Sequence, residues 1–413
     1  MTAIPTTVRA TSPYRWVVLA MCWAAFTMTS VDRSTWGPAS AAVSDSLGVP
    51  LAALGMFATG YYLGYLVSNA GGGFLVDRLG ARWMLGVSGV GAGLFMMLFG
   101  STTSVAAGLA LQALVGLFAG VDYAAGLKVI STCFPVSELG LASGIFMTAT
   151  SLGTVIANAV VPQLINTTGW ETSYHAFGAV TVVIAVLCLL LVRNGTTAST
   201  GGERQRPDLR RVLGNRELLL LGLAGFGGLW GTYGFVTWSN TLMVKGSGID
   251  PVQAGVVLVI FAAVAVAVKP VVGWICDRAG LGLRIPIVVL LVFFAAMLLL
   301  FGAMRSYAQF LWVAPLLGIG AYAYSPLTSA LTPMLAGRTS AGSAAGVVNA
   351  FWQLGSVLVP AVIGPVFVAT GSFAAAFGTL AAGPLLGALV CWFVREPREL
   401  HSSTSHGRYR RRG

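Results

Sequence analysis

From Tyr14 to Phe393 the chain alternates long apolar runs with short polar breaks, and nearly every charge falls in a break. The runs are about 19–28 residues long. At about 1.5 Å per residue, a helix of that length crosses a hydrocarbon layer about 30 Å thick. The pattern predicts twelve membrane-spanning helices, over about 16–39, 52–76, 83–101, 105–130, 140–165, 172–192, 217–243, 251–276, 285–304, 308–335, 342–369 and 372–394. The largest polar interval, 193–216, carries Arg193, Arg204, Arg206, Arg210, Arg211 and Arg216 and divides six spans from six. The expected organisation is therefore a six-helix bundle over 1–192, a linker over 193–216, a second bundle over 217–394 and a basic tail over 395–413.

Composition removes the soluble alternative. Only 9% of the residues are charged and 56% are hydrophobic, against about 25% charged in soluble domains. A soluble fold of 413 residues cannot hide that much apolar surface. The first run continues into Asp32-Arg33 without a convincing small-residue cleavage site, so it reads as a retained helix. With both termini in the cytoplasm, 19 of the 24 Lys and Arg fall in cytoplasmic segments, while Lys245 and Arg305 fall outside. That is the positive-inside bias. The net charge of +11 then reflects topology and contact with anionic membrane lipid, not nucleic acid. The five cysteines lack metal-ligand spacing, and the chain has no phosphate-binding G-x-x-x-x-G-K-[ST] loop and no nucleophile triad. Neither an enzyme nor a bound metal or cofactor is expected.

Two stretches recur. "GFLVDRLGAR" (73–82) is echoed by "GWICDRAGLGLR" (273–284), and "LASGIFMTATSLGTVIANAVVPQLINTTG" (141–169) aligns with 343–371, bringing Thr168-Gly169 onto Thr370-Gly371. Two matches at nearly one offset indicate two parallel halves, as in transporters whose halves rock about a midplane site. The loop between the second and third spans resembles the signature loop of the major facilitator superfamily, with its degenerate copy between spans eight and nine. The resemblance implies an all-α polytopic membrane protein of two pseudo-symmetric six-helix halves. It also implies that Gly73, Asp77, Arg78 and Arg82, with Asp277 and Arg278, form a conformational latch and do not touch substrate.

An ionisable residue inside a membrane is costly and is a functional candidate by default. Five remain inside spans: Asp32, Arg33, Asp122, Lys128 and Lys269. Adjacent helical residues differ by about 100°, so Asp32 and Arg33 cannot both face one cavity. "SVDRSTWGPA" (30–39) resembles the first span of the anion/cation symporter branch of the superfamily, which implies proton coupling and anion binding by this pair. Span four also resembles that branch but departs from it, with Gln112 in place of an Arg and Ala119 in place of a proton-carrying Glu. Asp122, three residues on, is the alternative titratable acid, and Lys128 falls near the branch's basic position.

Lys269 lies eight residues before Asp277, roughly 12 Å inside the span, and precedes Pro270. The repeat sets it opposite Asn69, and it resembles the basic residue in span eight of the oxalate/formate exchanger. The chain has 21 Arg and three Lys, two of them inside spans. That usage favours a role for a compact, adjustable charge. Tyr233, Asn349 and Trp352 are further candidates to line the cavity.

Three embedded positive charges against two negative favour an anionic ligand. The expected function is secondary transport of a small organic anion, a carboxylate or sugar acid, by alternating access in a bacterial cytoplasmic membrane. Proton symport would use Asp32 or Asp122, with Arg33, Lys128 or Lys269 holding the carboxylate and the chain acting as a monomer. Anion exchange and drug efflux are the alternatives.

Overall fold

A computed structural model describes residues 13–134, 136–192, 213–279, 282–336 and 341–396. The elements are helices throughout the described residues: Tyr14–Leu47 (α1), Gly55–Leu79 (α2), Ala81–Gly100 (α3), Val105–Ala119 (α4), Asp122–Cys133 (α5), Val136–Thr168 (α6), Trp170–Leu191 (α7), Arg216–Thr241 (α8), Pro251–Ala279 (α9), Arg284–Ala303 (α10), Tyr307–Ala336 (α11), Ala341–Thr370 (α12) and Phe373–Trp392 (α13). Backbone polar groups have no partner in hydrocarbon, so a helix, which satisfies them internally, is the form each apolar run must take.

Among the described residues, eleven helical segments are long and apolar enough to cross a membrane. α1 falls short of them in hydropathy because its middle carries Asp32, Arg33 and several hydroxyls. It is also the longest helix, at 34 residues, and more than half of those residues are buried. It packs against α5, α6, α7 and α8, so its polar middle meets protein instead of lipid. Span four is one membrane segment over Val105–Ile130, as expected, with a turn inside it. It divides at Gly120-Val121 into α4 and α5, where a Cβ on Gly120 would stand 2.7 Å from the Tyr65 carbonyl oxygen. The bare glycine lets α2 close against the break.

The repeated Thr-Gly pairs have a structural reason. Gly169 (φ 101°) and Gly371 (φ 59°) occupy the left-handed region at equivalent turns, ending α6 and α12. A side chain is strained there.

Helices α1–α7 pack mainly on one another, as do α8–α13; the principal contacts between the groups are α2 with α12, α6 with α9 and α1 with α8. Four hydrogen bonds across this seam lie towards the α1–α2 and α8–α9 turns. Lys245 Nζ meets Asp45 Oδ1 at 2.7 Å, Ser40 Oγ meets Thr241 Oγ1 at 2.5 Å, Asn240 Nδ2 donates to Asn158 Oδ1 at 2.8 Å and Thr59 Oγ1 donates to Val357 O at 2.9 Å. Gly55 lies directly on the Pro360 carbonyl.

These contacts are unequal. The Lys245–Asp45 pair is partly exposed, so Lys245→Ala is expected to cost less than about 1 kcal/mol in a denaturation series. Gly55→Leu drives a side chain into the α12 backbone. It is expected to widen the distance between spin labels at Ser46 and Ser247, with helix content retained.

Candidate functional site

Two cations, one on each group of helices, lie within electrostatic reach of one another. Arg33 on α1 points towards α8, with Cζ 4.9 Å from the Tyr233 ring centroid and Nη2 3.3 Å from Ser30 Oγ. Its Nε is buried with no hydrogen-bond partner. Tyr61, Tyr62 and Tyr65 of α2 complete its surroundings. The Tyr62 and Tyr233 rings lie 5.3 Å apart, and Tyr61 stacks on Tyr65 at 6.2 Å.

Lys269 on α9 crosses the seam. Its Nζ donates to Thr150 Oγ1 at 3.2 Å and Ser151 Oγ at 3.3 Å on α6, and lies 4.9 Å from the Tyr322 ring centroid. Arg33 and Lys269 both keep part of their surface accessible, and neither has a carboxylate partner among the described residues. Aromatic faces and hydroxyls hold these cations in place of counter-ions; cation–π contact is worth about 0.5–2 kcal/mol, far less than a charge-paired carboxylate in the same surroundings. The arrangement can accept an anion that bonds both cations, with tyrosine and threonine hydroxyls to orient its remaining polar groups.

The carboxylates lie behind this site. Asp32, one position from Arg33, turns towards α7 and accepts from Thr181 Oγ1 at 3.3 Å, while its Oδ2 is buried without a partner. Asp122, the first residue of α5, accepts from Thr29 Oγ1 of α1 at 2.7 Å. Ser88 flanks it with its own hydroxyl donated to Phe118 O at 2.5 Å. Thr29 and Asp32 are three residues apart on α1, so one helix connects the two acids. Neither acid has a cationic partner among the described residues.

The other candidates fall in different places. Lys128 donates to Val76 O at 3.1 Å at the end of α2, apart from Arg33 and Lys269. Trp352 Nε1 donates to Leu221 O at 3.3 Å and packs on Gly225, in the α8–α12 contact. Asn69 and Asn349 are half-buried, without a hydrogen-bond partner among the described residues. Tyr61, Tyr62, Tyr65, Thr150 and Ser151 were not anticipated. The triple tyrosine in "YYLGY" (61–65) was the available signal.

The sequence model of the Major Facilitator Superfamily matches residues 22–360. The chain belongs to this superfamily. Its fold agrees: a bacterial homologue of the human lysosomal transporter Spinster, solved in an inward-facing and occupied conformation, superposes with a TM-score of 0.76 at 14% identity, over 93% of this chain and 97% of that one. Two relatives match over most of their length. The probable galactarate/D-glucarate transporter of Bacillus subtilis is 24% identical over 87% of each chain. A D-galactonate transporter of Escherichia coli is 22% identical over 91% of this chain and 94% of its own. The protein is thus a multi-pass major facilitator transporter and not an enzyme.

Within this superfamily fold, the signature loop turns at Gly80 (φ 89°), the one residue between α2 and α3. Arg82 Nε donates to Leu189 O at 2.6 Å, and Arg78 is exposed. The surroundings of Gly73 and the Asp77, Asp277 and Arg278 side chains lie outside the described residues, as do the 193–212 segment and the 397–413 tail.

Proposed function

We propose that this transporter carries a small organic anion, a carboxylate or sugar acid, across a bacterial cytoplasmic membrane by alternating access, with proton symport and both termini in the cytoplasm. The observation that carries the reading is the pair Arg33 and Lys269, held by tyrosine faces and hydroxyls and lacking any carboxylate partner among the described residues. A buried cation without a counter-ion is costly, and an anionic ligand bound to both relieves that cost at the point where the halves meet. The relatives named for sugar acids support the same class of ligand. The closed seam at Asp45–Lys245 and Asn158–Asn240 supports an inward-open state, with the site reached from the linker side. Asp77 and its echo, Asp277, serve as latches on that side.

Lys269 tests the reading. A charge-assisted hydrogen bond contributes roughly 1.5–3 kcal/mol, so Lys269→Gln is expected to weaken binding about 10- to 150-fold. Lys269→Arg should restore binding only in part, because the guanidinium is larger and stays charged. The ligand is found first by thermal shift against mono- and dicarboxylates, sugar acids and aromatic acids at millimolar concentration. Its neutral isostere is then compared: loss confined to the anion supports the anchor, and equal loss for both shows that Lys269 only ties α9 to α6.

One observation favours anion exchange as a second reading. Asp32 and Asp122 are directed at threonines behind the site and not at Arg33 or Lys269, so anion binding need not displace a proton.

A further inference from the structure

Outside the central site, the described residues form two apolar grooves on the lateral surface. The first, of about 490 Å³, lies between α2, α3 and α4. The second, of about 400 Å³, lies between α9 and α10. Leu75, Trp83 and Val87 line the first; Ile275, Ile285 and Val289 line the second. These are the same positions in the two repeats, displaced by 200 residues on the first helix of each pair and by 202 on the second. All six are exposed large apolar side chains. The groove is therefore built twice by one supersecondary unit and is not a local packing defect.

Its lining is mostly apolar. Ser68, Ser88 and the Trp83 indole supply the polar side-chain groups of the first lining, and the Ser88 hydroxyl is already donated to Phe118 O. An arginine lies next to lining residues of each groove on the linker side. Arg78 is exposed about one turn beyond Leu75; Arg284 lies beside Ile285, its Nη1 donating to Val394 O at 3.2 Å, but its backbone N–H donates to Glu396 Oε1, so the second mouth also carries a carboxylate. Basic residues at that depth attract lipid phosphate. Gly71 lines the first groove, and a Cβ there would meet nothing within 4 Å. The backbone leaves that room open although a larger residue would fit.

We propose that each groove is a binding site for one acyl chain of a phospholipid from the linker-side leaflet, with the phosphate of the lipid in the first groove at Arg78. In the first groove the chain lies against Ser88 and Val121, the neighbours of Asp122, and forms the removable wall between that carboxylate and the bilayer.

The test uses the full chain in vesicles of phosphatidylethanolamine and phosphatidylglycerol containing a trace of phosphatidylglycerol with a diazirine in mid-chain. After irradiation, peptide mass spectrometry maps the label. Labelling is expected to concentrate in 67–88 and 272–290, several-fold above the surface around Trp312, which is 81% exposed. Gly71→Phe is expected to cut labelling of 67–88 several-fold and leave 272–290 unchanged, which also reports that the variant is folded. Leu117→Trp, from the opposite wall, should do the same and decides the matter if Gly71→Phe misfolds. Groove labelling no denser than around Trp312, or unmoved by the folded variants, overturns the proposal. So does preferential labelling by a free diazirine fatty acid over the phospholipid.

Discussion

Arg33→Gln is expected to abolish measurable binding of the anionic substrate at concentrations that saturate the wild type. The guanidinium has an unpartnered Nε, a Tyr233 face beneath it and no acid paired with it among the described residues, so it keeps capacity for a planar anion. Arg meets a carboxylate through two parallel N–H donors. Truncating one partner of such a buried pair costs about 3–5 kcal/mol, which is roughly a hundred- to several-thousand-fold in Kd. Arg33→Lys keeps the charge and loses the fork, so it should fall between the two. Equilibrium binding of radiolabelled substrate to purified protein measures the series. Unchanged affinity in Arg33→Gln would remove Arg33 from the site and leave Lys269 as the sole anchor.

The second large effect concerns energy coupling. An inward gradient of one pH unit is worth about 1.4 kcal/mol and drives about tenfold accumulation in an electroneutral one-to-one symport. At least one of Asp32→Asn and Asp122→Asn is expected to reduce that ratio to about one in proteoliposomes, because an amide cannot carry the proton. Counterflow of labelled substrate should persist in the same variant, since exchange does not require the site to release its proton. The amide keeps an oxygen for the Thr181 or Thr29 hydroxyl, so the fold is preserved. If both variants still accumulate substrate tenfold, the proton is carried by another group; if the wild type itself accumulates none, the exchange reading gains.

The fold was legible because a bilayer imposes it. Each apolar run must satisfy its own backbone and must be about twenty residues long, so hydropathy and length alone outline the helices. The break at Gly120-Val121 was not legible: the Tyr65 carbonyl that closes against Gly120 belongs to another helix and has no trace in the local pattern. Arg33 and Lys269 stood out as candidates because charge inside a span is rare. Lys128 satisfied the same rule, yet its ammonium meets the Val76 carbonyl at the end of α2. Depth along one helix does not say which groups of the other helices a cation meets.

By itself, the sequence determined that the chain spans a membrane with about twelve helices, repeats a loop and a helix at one offset, and places few charges inside. Those properties depend on residue type and spacing along one strand of chain. Only the tertiary structure decided that Arg33 and Lys269 lie within electrostatic reach of one another while Asp32 and Asp122 turn to threonines on neighbouring helices. It likewise brought Tyr61, Tyr62 and Tyr65 beside a cation on α1 and laid Thr150 and Ser151 under a lysine on α9. The physical reason is that a side chain's partner depends on how a helix is rotated about its axis, and close packing against all its neighbours sets that rotation at once.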